Sequence, residues 1–262
     1  MSDRLTAYCI NLARRKDRWQ HTQNLADQHG FTLERVDAVD AQDPANAPLL
    51  AAMKPTGPTG RLGIGTLACT LSHTKAWKAF LASGHDRALI IEDNLILAQD
   101  FTPVALALLA DPQTGGLIKL QGGGVIDAGV LLSRKSILCA GHQVHQAYHL
   151  IPSSKAYIID RQVAELAVQR VGNCDVGVDH FMFYPRRRRG SLGVAFSILA
   201  PPTVMAEKDL SSDIAGHRYI GKRIHRDMRR FGYEAAQIPM MLGKFLTGQA
   251  SIQKPRFVKA PK

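Results

Sequence analysis

The sequence lacks the features that mark membrane-spanning and secreted proteins. No apolar run approaches the roughly 18 residues that a membrane-spanning helix needs. The N-terminal residues do not have a signal-peptide pattern, because Arg4 is followed by only a short apolar run and then by Arg14, Arg15 and Lys16. We therefore expect a cytoplasmic protein.

Cysteine is scarce, and its spacing excludes the commonest zinc and disulfide frameworks. No CxxC pair or zinc-type spacing is present among the four cysteines, which we expect to be reduced and mostly in the core. They are Cys9, Cys69, Cys139 and Cys174.

Two common catalytic motifs are also missing. The sequence has neither a GxxxxGK[ST] phosphate loop nor a GxSxG nucleophile elbow. A GxGxxA match begins at Gly63, but it follows a Pro- and Gly-rich loop where the dinucleotide fingerprint requires a strand. This match therefore carries little weight.

The remaining pattern is that of a globular α/β protein. With 262 residues and 45% hydrophobic residues, the chain can bury the core of one large domain or two small ones. The alternation of strands and helices predicts a mainly parallel sheet. We predict strands at 7–12, 31–39, 88–91, 116–121 and 156–159, helices at 16–29 (closed by Gly30), 66–82, 102–110 and 161–171, a long loop at 40–63 and a loose tail at 251–262.

The most informative stretch is residues 88–94. A short apolar run ends at Glu92, Asp93 and Asn94. The run is typical of a strand buried on both faces, and open α/β sheets bind ligands at the carboxyl ends of such strands. Oxygen ligands there suit Mg²⁺ or Mn²⁺, which would hold substrate phosphates. The alternative is a strand that ends in solvated acids.

Part of the net charge of +11 comes from two short basic segments. Four arginines occupy positions 186–189, and residues 217–230 predict a basic amphipathic helix. That helix could dock on an anionic membrane surface or pack on the core as an ordinary surface helix. A nucleic-acid-binding protein is a third hypothesis, supported only by charge. We expect no nucleic-acid partner, because the arginine run has no interleaved aromatic residues.

Several short motifs occur in a specific order, and this set resembles glycosyltransferase family 25, the sugar transferases of lipopolysaccharide biosynthesis. The resemblance runs from about residue 7 to about residue 215. The motifs are YCINLARRKDR (8–18), ERVDAVD (34–40), GTLACTLSHTKAW (65–77), LIIEDN (89–94), AYII (156–159), VDHFM (178–182), PP (201–202) and SSDI (211–214).

The resemblance implies a GT-A-type fold, with a Rossmann-like sheet that binds a nucleotide sugar, commonly UDP-galactose. It also implies inverting transfer to a saccharide acceptor of lipopolysaccharide or lipooligosaccharide type. We expect residues 1–215 to form this domain and residues 216–262 to form a basic segment that faces the membrane or the acceptor. The protein would then act in the cytoplasm, at the inner face of the cytoplasmic membrane.

The acidic motif departs from the family, which usually has Glu-Asp-Asp where this chain has Asn94 in third place. The resemblance implies that Asp93 and the third residue bind Mn²⁺ or Mg²⁺, with Glu92 contacting the donor. An amide oxygen is a poorer ligand for a hard dication. Metal affinity could be weak, Asp93 could bind the metal alone, or basic residues could take the place of the metal ion. A catalytically weakened member that still binds nucleotide sugar or glycan is the alternative function.

The remaining candidates follow from chemistry and from the resemblance. Transfer needs a carboxylate that takes the acceptor proton, and Asp179 matches the family's Val-Asp-His segment. Asp175 is the second candidate for the general base, although a structural role in a loop or helix cap suits it better. We expect donor-binding residues after the first strand and in the 65–77 motif, with a core role as the alternative for the histidine. They are Asn11, Arg14, Arg18 and His73.

Overall fold

The computed structural model describes residues 4–54, 56–58, 60–123, 125–186, 188, 190–207, 210, 219–220, 228 and 231–258. The strands are β1 (Thr6–Asn11), β2 (Thr32–Asp37), β3 (Thr56–Gly57), β4 (Gly60–Leu62), β5 (Arg87–Glu92), β6 (Leu95–Leu97), β7 (Leu117–Lys119), β8 (Val130–Cys139), β9 (His142–Ala147), β10 (Ala156–Asp160), β11 (Phe196–Ala200), β12 (Val204–Ala206), β13 (Tyr219–Ile220) and β14 (Ala250–Gln253). The helices are α1 (Lys16–His29), α2 (Ala47–Ala51), α3 (Ile64–Ala82), α4 (Phe101–Ala110), α5 (Val125–Ala128), α6 (Arg161–Arg170), α7 (Val178–Met182) and α8 (Ile238–Leu246).

One large sheet organises the described residues, with strand order β14-β8-β9-β11-β7-β10-β5-β1-β2. Strands β1, β2, β5, β7, β8 and β11 run in one direction, and β9, β10 and β14 run in the other. The predicted α/β fold with a mainly parallel sheet flanked by helices is confirmed. Because β10 is reversed between β5 and β7, its amino end lies beside the carboxyl ends of both.

Hydrophobic cores lie on both faces of this sheet, as the apolar run at 88–91 predicts. Ala88 and Ile90 pack in the core that also contains Trp77 of α3 and residues of α6 and α7. Leu89 and Ile91 pack in the other core, with residues of α1 and α4. Successive side chains of a strand point to opposite faces, so a strand covered on both sides must be apolar throughout.

The predicted elements in the first half of the chain are present. The helix α1 has the predicted bounds and ends at Gly30, whose φ of 71° places it in the left-handed region that glycine tolerates best. The helices α3 and α4 begin slightly earlier than predicted, and α6 ends one residue earlier.

Some strands were not predicted because their sequences lack a regular period. The antiparallel pair β8 and β9 turns at Ala140 and Gly141, both with positive φ, but a register shift between Leu132 and Ser136 interrupts the alternation of apolar and polar residues. The predicted long loop at 40–63 contains α2 and the β3–β4 hairpin. The predicted loose tail is wrong at 251–253, which belong to β14 and pair with β8.

The C-terminal residues only partly match their prediction. A C-terminal helix is present as α8. The predicted basic helix at 217–230 is wrong at Tyr219 and Ile220, which pair with β4 as β13. Apart from Met228, its other residues lie outside the described part, as do the SSDI motif, Arg187 and Arg189. The division at residue 215 stays a prediction, although Tyr233 is buried in the main core.

Candidate active site

Glu92, Asp93 and Asn94 lie at the carboxyl end of β5, on the wall of a cleft. The other walls come from the end of β1, the 38–42 loop after β2 and the first half of α3. The sheet therefore presents its acids where open α/β sheets bind ligands. Asp93 is buried and Glu92 is partly buried, so the two acids of the motif are not fully solvated as the alternative interpretation has them.

Asp93 is held by two residues that the sequence analysis assigned to the donor. Asn11 donates from Nδ2 to Oδ2 at 2.7 Å, and Arg18 donates from Nη1 to Oδ1 at 3.2 Å. The side chains of Arg18 and Asp93 are only 6% and 7% exposed. Burial raises the pKa of Asp93, and the contacts with Asn11 and Arg18 offset that rise only in part.

Glu92 and Asn94 share one cation, the ammonium of Lys155. Its Nζ donates to Glu92 Oε2 at 3.0 Å and to Asn94 Oδ1 at 2.6 Å. Burial raises the pKa of Glu92, but the charge of Lys155 and the contacts with His73 outweigh that effect and hold it below the usual range. Glu92 is therefore a carboxylate at neutral pH.

His73 is buried and connects α3 to this acidic motif. Its Nδ1 lies 2.9 Å from the hydroxyl oxygen of Tyr157, and its Nε2 lies 3.2 Å from Ser154 Oγ and 3.7 Å from Glu92 Oε1. The ring also packs near Trp77. These contacts favour a positioning role for His73, which orients Glu92 and Ser154 from within the core. A donor-binding role stays a prediction.

Residues 153–155, which precede β10, connect the acidic motif to Asp179. The Ser153 N–H donates to Asp179 Oδ2 at 2.9 Å, Ser154 Oγ donates to Glu92 Oε1 at 3.3 Å, and Lys155 makes the contacts given above. Burial raises the pKa of Asp179, but the charge of His180 and hydrogen bonds from His180 and Ser153 hold it well below the usual range. Asp179 is thus an ionised acceptor close to the acidic motif.

A second cavity of about 430 Å³ has Ser153 of this segment in its lining. Lys119, Gln121, Asp127, Ile151 and Ser153 are among its lining residues. The Lys119 ammonium donates to the Ser153 carbonyl and lies over the Phe183 ring. Burial lowers the pKa of Lys119 to about 7, against the attraction of Asp179. The segment thus lines the second cavity through Ser153 and contacts the acidic motif through Ser154 and Lys155.

Other predicted residues lie at the margin or away from this centre. Arg14 lines the first cleft and pairs with Asp40 at 2.6 Å. Asp175 is buried in a loop, against the backbone of Gly57 and Gly190, which supports the structural role that the sequence analysis favoured. In the arginine run, Arg188 donates to the Tyr233 carbonyl at 2.8 Å and so braces the fold.

The described contacts do not fit a divalent cation on Asp93 and Asn94. Both carboxylate oxygens of Asp93 accept hydrogen bonds from Asn11 or Arg18, and Asn94 Oδ1 accepts one from Lys155. A hard dication needs several such oxygens for itself and would be repelled by the two cationic side chains already there. Their assignment as metal ligands stays a prediction.

One other cluster among the described residues has metal-ligand chemistry. Single atoms of Cys69, His73 and Glu92 lie within 4.8 Å of one another. Sulfur and imidazole donors suit zinc, whereas Mn²⁺ and Mg²⁺ favour oxygen ligands. This cluster does not supply the oxygen-rich set that the resemblance implies.

Sequence reasoning missed the residues that line the second cavity or contact the acidic motif from residues 153–155. Lys119, Gln121 and residues 153–155 belong to no motif in the sequence analysis. The available signal was their position: Lys119 ends an apolar strand, and a short polar run stands directly before another. This position indicates a site only when the direction of β10 is known, because that direction places residues 153–155 beside the carboxyl ends of β5 and β7.

Comparison with known families agrees with the geometry of this site. A sequence model described as "Glycosyltransferase family 25 (LPS biosynthesis protein)" matches residues 4–182, which include the acidic motif, residues 153–155 and Asp179. Comparison with curated proteins finds no match to the chain. No helix within the described ranges is long and apolar enough to cross a membrane.

Proposed function

The chain belongs to glycosyltransferase family 25, whose members are sugar transferases of lipopolysaccharide biosynthesis, and we propose that it moves a hexose from a UDP-sugar to a saccharide acceptor with inversion. Galactose is the proposed sugar, and the acceptor is of lipopolysaccharide or lipooligosaccharide type. The observation that carries this proposal is the segment 153–155, which lines the second cavity and contacts both Asp179 and Glu92 of the first cleft.

The first cleft is the proposed site for the nucleotide sugar. It lies at the carboxyl ends of β1 and β5, where doubly wound sheets bind nucleotides. Arg14 and Arg18 line it and supply positive charge for a diphosphate. Glu92 is an ionised carboxylate that can accept hydrogen bonds from hydroxyl groups of the donor.

The second cavity is the proposed site for the acceptor sugar. Its volume is in the range of small-molecule pockets. Gln121, Ser153 and Asp127 offer hydrogen-bonding groups, and Ile126 and Ile151 offer apolar surface. Such a mixed lining suits a sugar ring, which has polar edges and apolar faces.

Asp179 is the proposed general base. The acceptor hydroxyl oxygen attacks the anomeric carbon from the face opposite the diphosphate, and its proton passes to the Asp179 carboxylate. The bond from that carbon to the diphosphate oxygen breaks, and the electron pair leaves with UDP. A single displacement of this kind inverts the configuration at the anomeric carbon.

The direct test measures binding and turnover with the intact chain. We expect calorimetry to show UDP binding, and we expect a panel of UDP-hexoses with oligosaccharide acceptors to show transfer. UDP binding without transfer of any hexose would favour the weakened family member, whose support is Asn94. Absence of UDP binding would contradict a UDP-sugar donor.

We also propose that α8 docks the enzyme on the inner face of the cytoplasmic membrane, where lipid-linked acceptors are found. The side chains of Ile238, Leu242, Phe245 and Leu246 recur at helical spacing and are exposed, and Leu246 is 80% exposed. An apolar helix face on a chain of net charge +11 suits an anionic lipid surface.

Substitution on this face should weaken membrane binding without unfolding the protein. We expect Leu242→Ser with Leu246→Ser to reduce partitioning onto anionic liposomes, roughly tenfold for each apolar side chain that inserts. The matched control is Leu49→Ser with Leu138→Ser, which removes two exposed leucines elsewhere. Equal liposome binding by both double variants in a sedimentation assay would exclude α8 as the docking element.

A further inference from the structure

The most informative feature that no motif accounts for is the position of the Lys155 ammonium. It lies between the first and third residues of the acidic motif, 3.0 Å from Glu92 Oε2 and 2.6 Å from Asn94 Oδ1. The Lys155 side chain is 17% exposed. The ammonium thus contacts two residues of the acidic motif that line the first cleft, and it supplies positive charge beside the proposed donor site.

The sheet fixes this position through the backbone. The Lys155 carbonyl accepts the Glu92 N–H at 2.8 Å, and the Lys155 N–H donates to Gln121 Oε1 at 3.3 Å. The next residue, Ala156, pairs with Ile91 in the antiparallel β10–β5 ladder. Because the main chain is held on both sides, the ammonium is preorganised and does not depend on a flexible loop.

The charges around the motif already balance without a metal ion. Glu92 and Asp93 contribute two negative charges, and Lys155 and Arg18 contribute two positive charges at hydrogen-bond or ion-pair distance. Asn94 is neutral, so it accepts from an ammonium without adding a third negative charge. An aspartate at this position would leave an excess of negative charge, which favours a dication.

We propose that Lys155 takes the place of the divalent cation, so that donor binding and sugar transfer proceed without Mn²⁺ or Mg²⁺. This inference rests on the function proposed above. The ammonium donates its third N–H to the diphosphate, and its charge stabilises the negative charge that UDP gains as the bond to the sugar breaks. Lys155 acts through its charge and its hydrogen bonds, because the acceptor proton goes to Asp179.

The first test uses the unmodified chain. UDP affinity by calorimetry and UDP-hexose turnover are measured in excess chelator and then with MnCl₂ or MgCl₂ added. We expect less than a twofold difference among these conditions. Loss of binding and turnover in chelator, restored by Mn²⁺, would overturn the inference but leave the proposed function standing. Absence of UDP binding and of transfer in every condition would overturn both.

The second test removes the ammonium of Lys155. Lys155→Met should weaken UDP binding by about 10- to 100-fold, the range for loss of a charge-assisted hydrogen bond. Lys155→Arg should keep most of the affinity, because it keeps the charge. Lys78→Met removes an exposed lysine from α3 and is the matched control, expected to bind UDP as the parent chain does.

The decisive variant combines Lys155→Met with Asn94→Asp. We expect this double variant to regain at least tenfold in UDP affinity when Mn²⁺ is added, and to lose that gain in chelator. Unchanged UDP affinity in Lys155→Met, with unfolding like that of the parent chain, would overturn the inference. If Lys155→Met does not fold, the chelator experiment on the parent chain still decides the matter.

Discussion

Asp179→Asn is expected to lower kcat by about 100- to 10,000-fold, the usual contribution of a general base. The Asp179 carboxylate accepts the backbone N–H groups of Ser153 and His180, and asparagine has nearly the same shape. The amide keeps one acceptor oxygen but cannot take a proton from the acceptor hydroxyl. Turnover should therefore fall far more than UDP affinity. One of the two N–H groups loses its acceptor, so we expect the thermal unfolding temperature to fall by a few degrees, as for the loss of one hydrogen bond.

Two other acids test whether the effect is specific to Asp179: Asp175 as a control and Asp127 as an alternative base. Asp175→Asn removes a buried carboxylate that packs on the backbone of Gly190, outside both cavities, and should leave kcat within a few-fold. Asp127→Asn removes an exposed carboxylate that lines the second cavity. Full activity of Asp179→Asn together with inactive Asp127→Asn would move the general base to α5.

The pH profile gives an independent check on Asp179. Because His180 and two backbone N–H groups hold its pKa well below the usual range, the carboxylate stays ionised in mildly acidic solution. We expect kcat/KM not to fall through protonation of the base until the pH is below about 4, the ordinary aspartate pKa. An acid limb near pH 6 that Asp179→Asn abolishes would contradict this expectation.

Arg18→Met should destabilise the protein by about 3–5 kcal/mol at pH 8, because it leaves the buried Asp93 carboxylate without its cation. Only the hydrogen bond from Asn11 would remain of the two contacts described for that carboxylate. Urea unfolding followed by circular dichroism measures the loss. Arg14→Met is the control: its pair with Asp40 is more exposed, and its loss should cost at most about 1 kcal/mol.

The destabilisation by Arg18→Met should depend on pH in a defined direction. Burial already raises the pKa of Asp93 above its unfolded value, and loss of Arg18 raises it further. Between the two pKa values the folded state binds more protons, so the free energy of unfolding falls as the pH rises. The deficit relative to the parent chain should therefore be smaller at pH 5 than at pH 8. An equal loss of unfolding free energy at pH 5 and pH 8 would mean that the Asp93 carboxylate is not the cause of the destabilisation.

The local elements at the start of the fold could be predicted because each depends on neighbouring residues. The end of the α1 helix follows from Gly30, and β5 follows from an apolar run covered on both faces. The β8–β9 hairpin was missed because a register shift breaks the alternation of apolar and polar residues. The β14 strand was missed because it is short and lies at the edge of the sheet.

The sequence by itself determined that an apolar strand ends in Glu92, Asp93 and Asn94, and it predicted a ligand site there. Only the tertiary structure decided which cations meet those acids. Lys155 stands directly before β10, and a parallel β10 would have carried it to the opposite edge of the sheet. Because β10 runs antiparallel to β5, its first residues lie beside the last residues of β5. Strand direction depends on pairing between distant segments, which local sequence patterns do not encode.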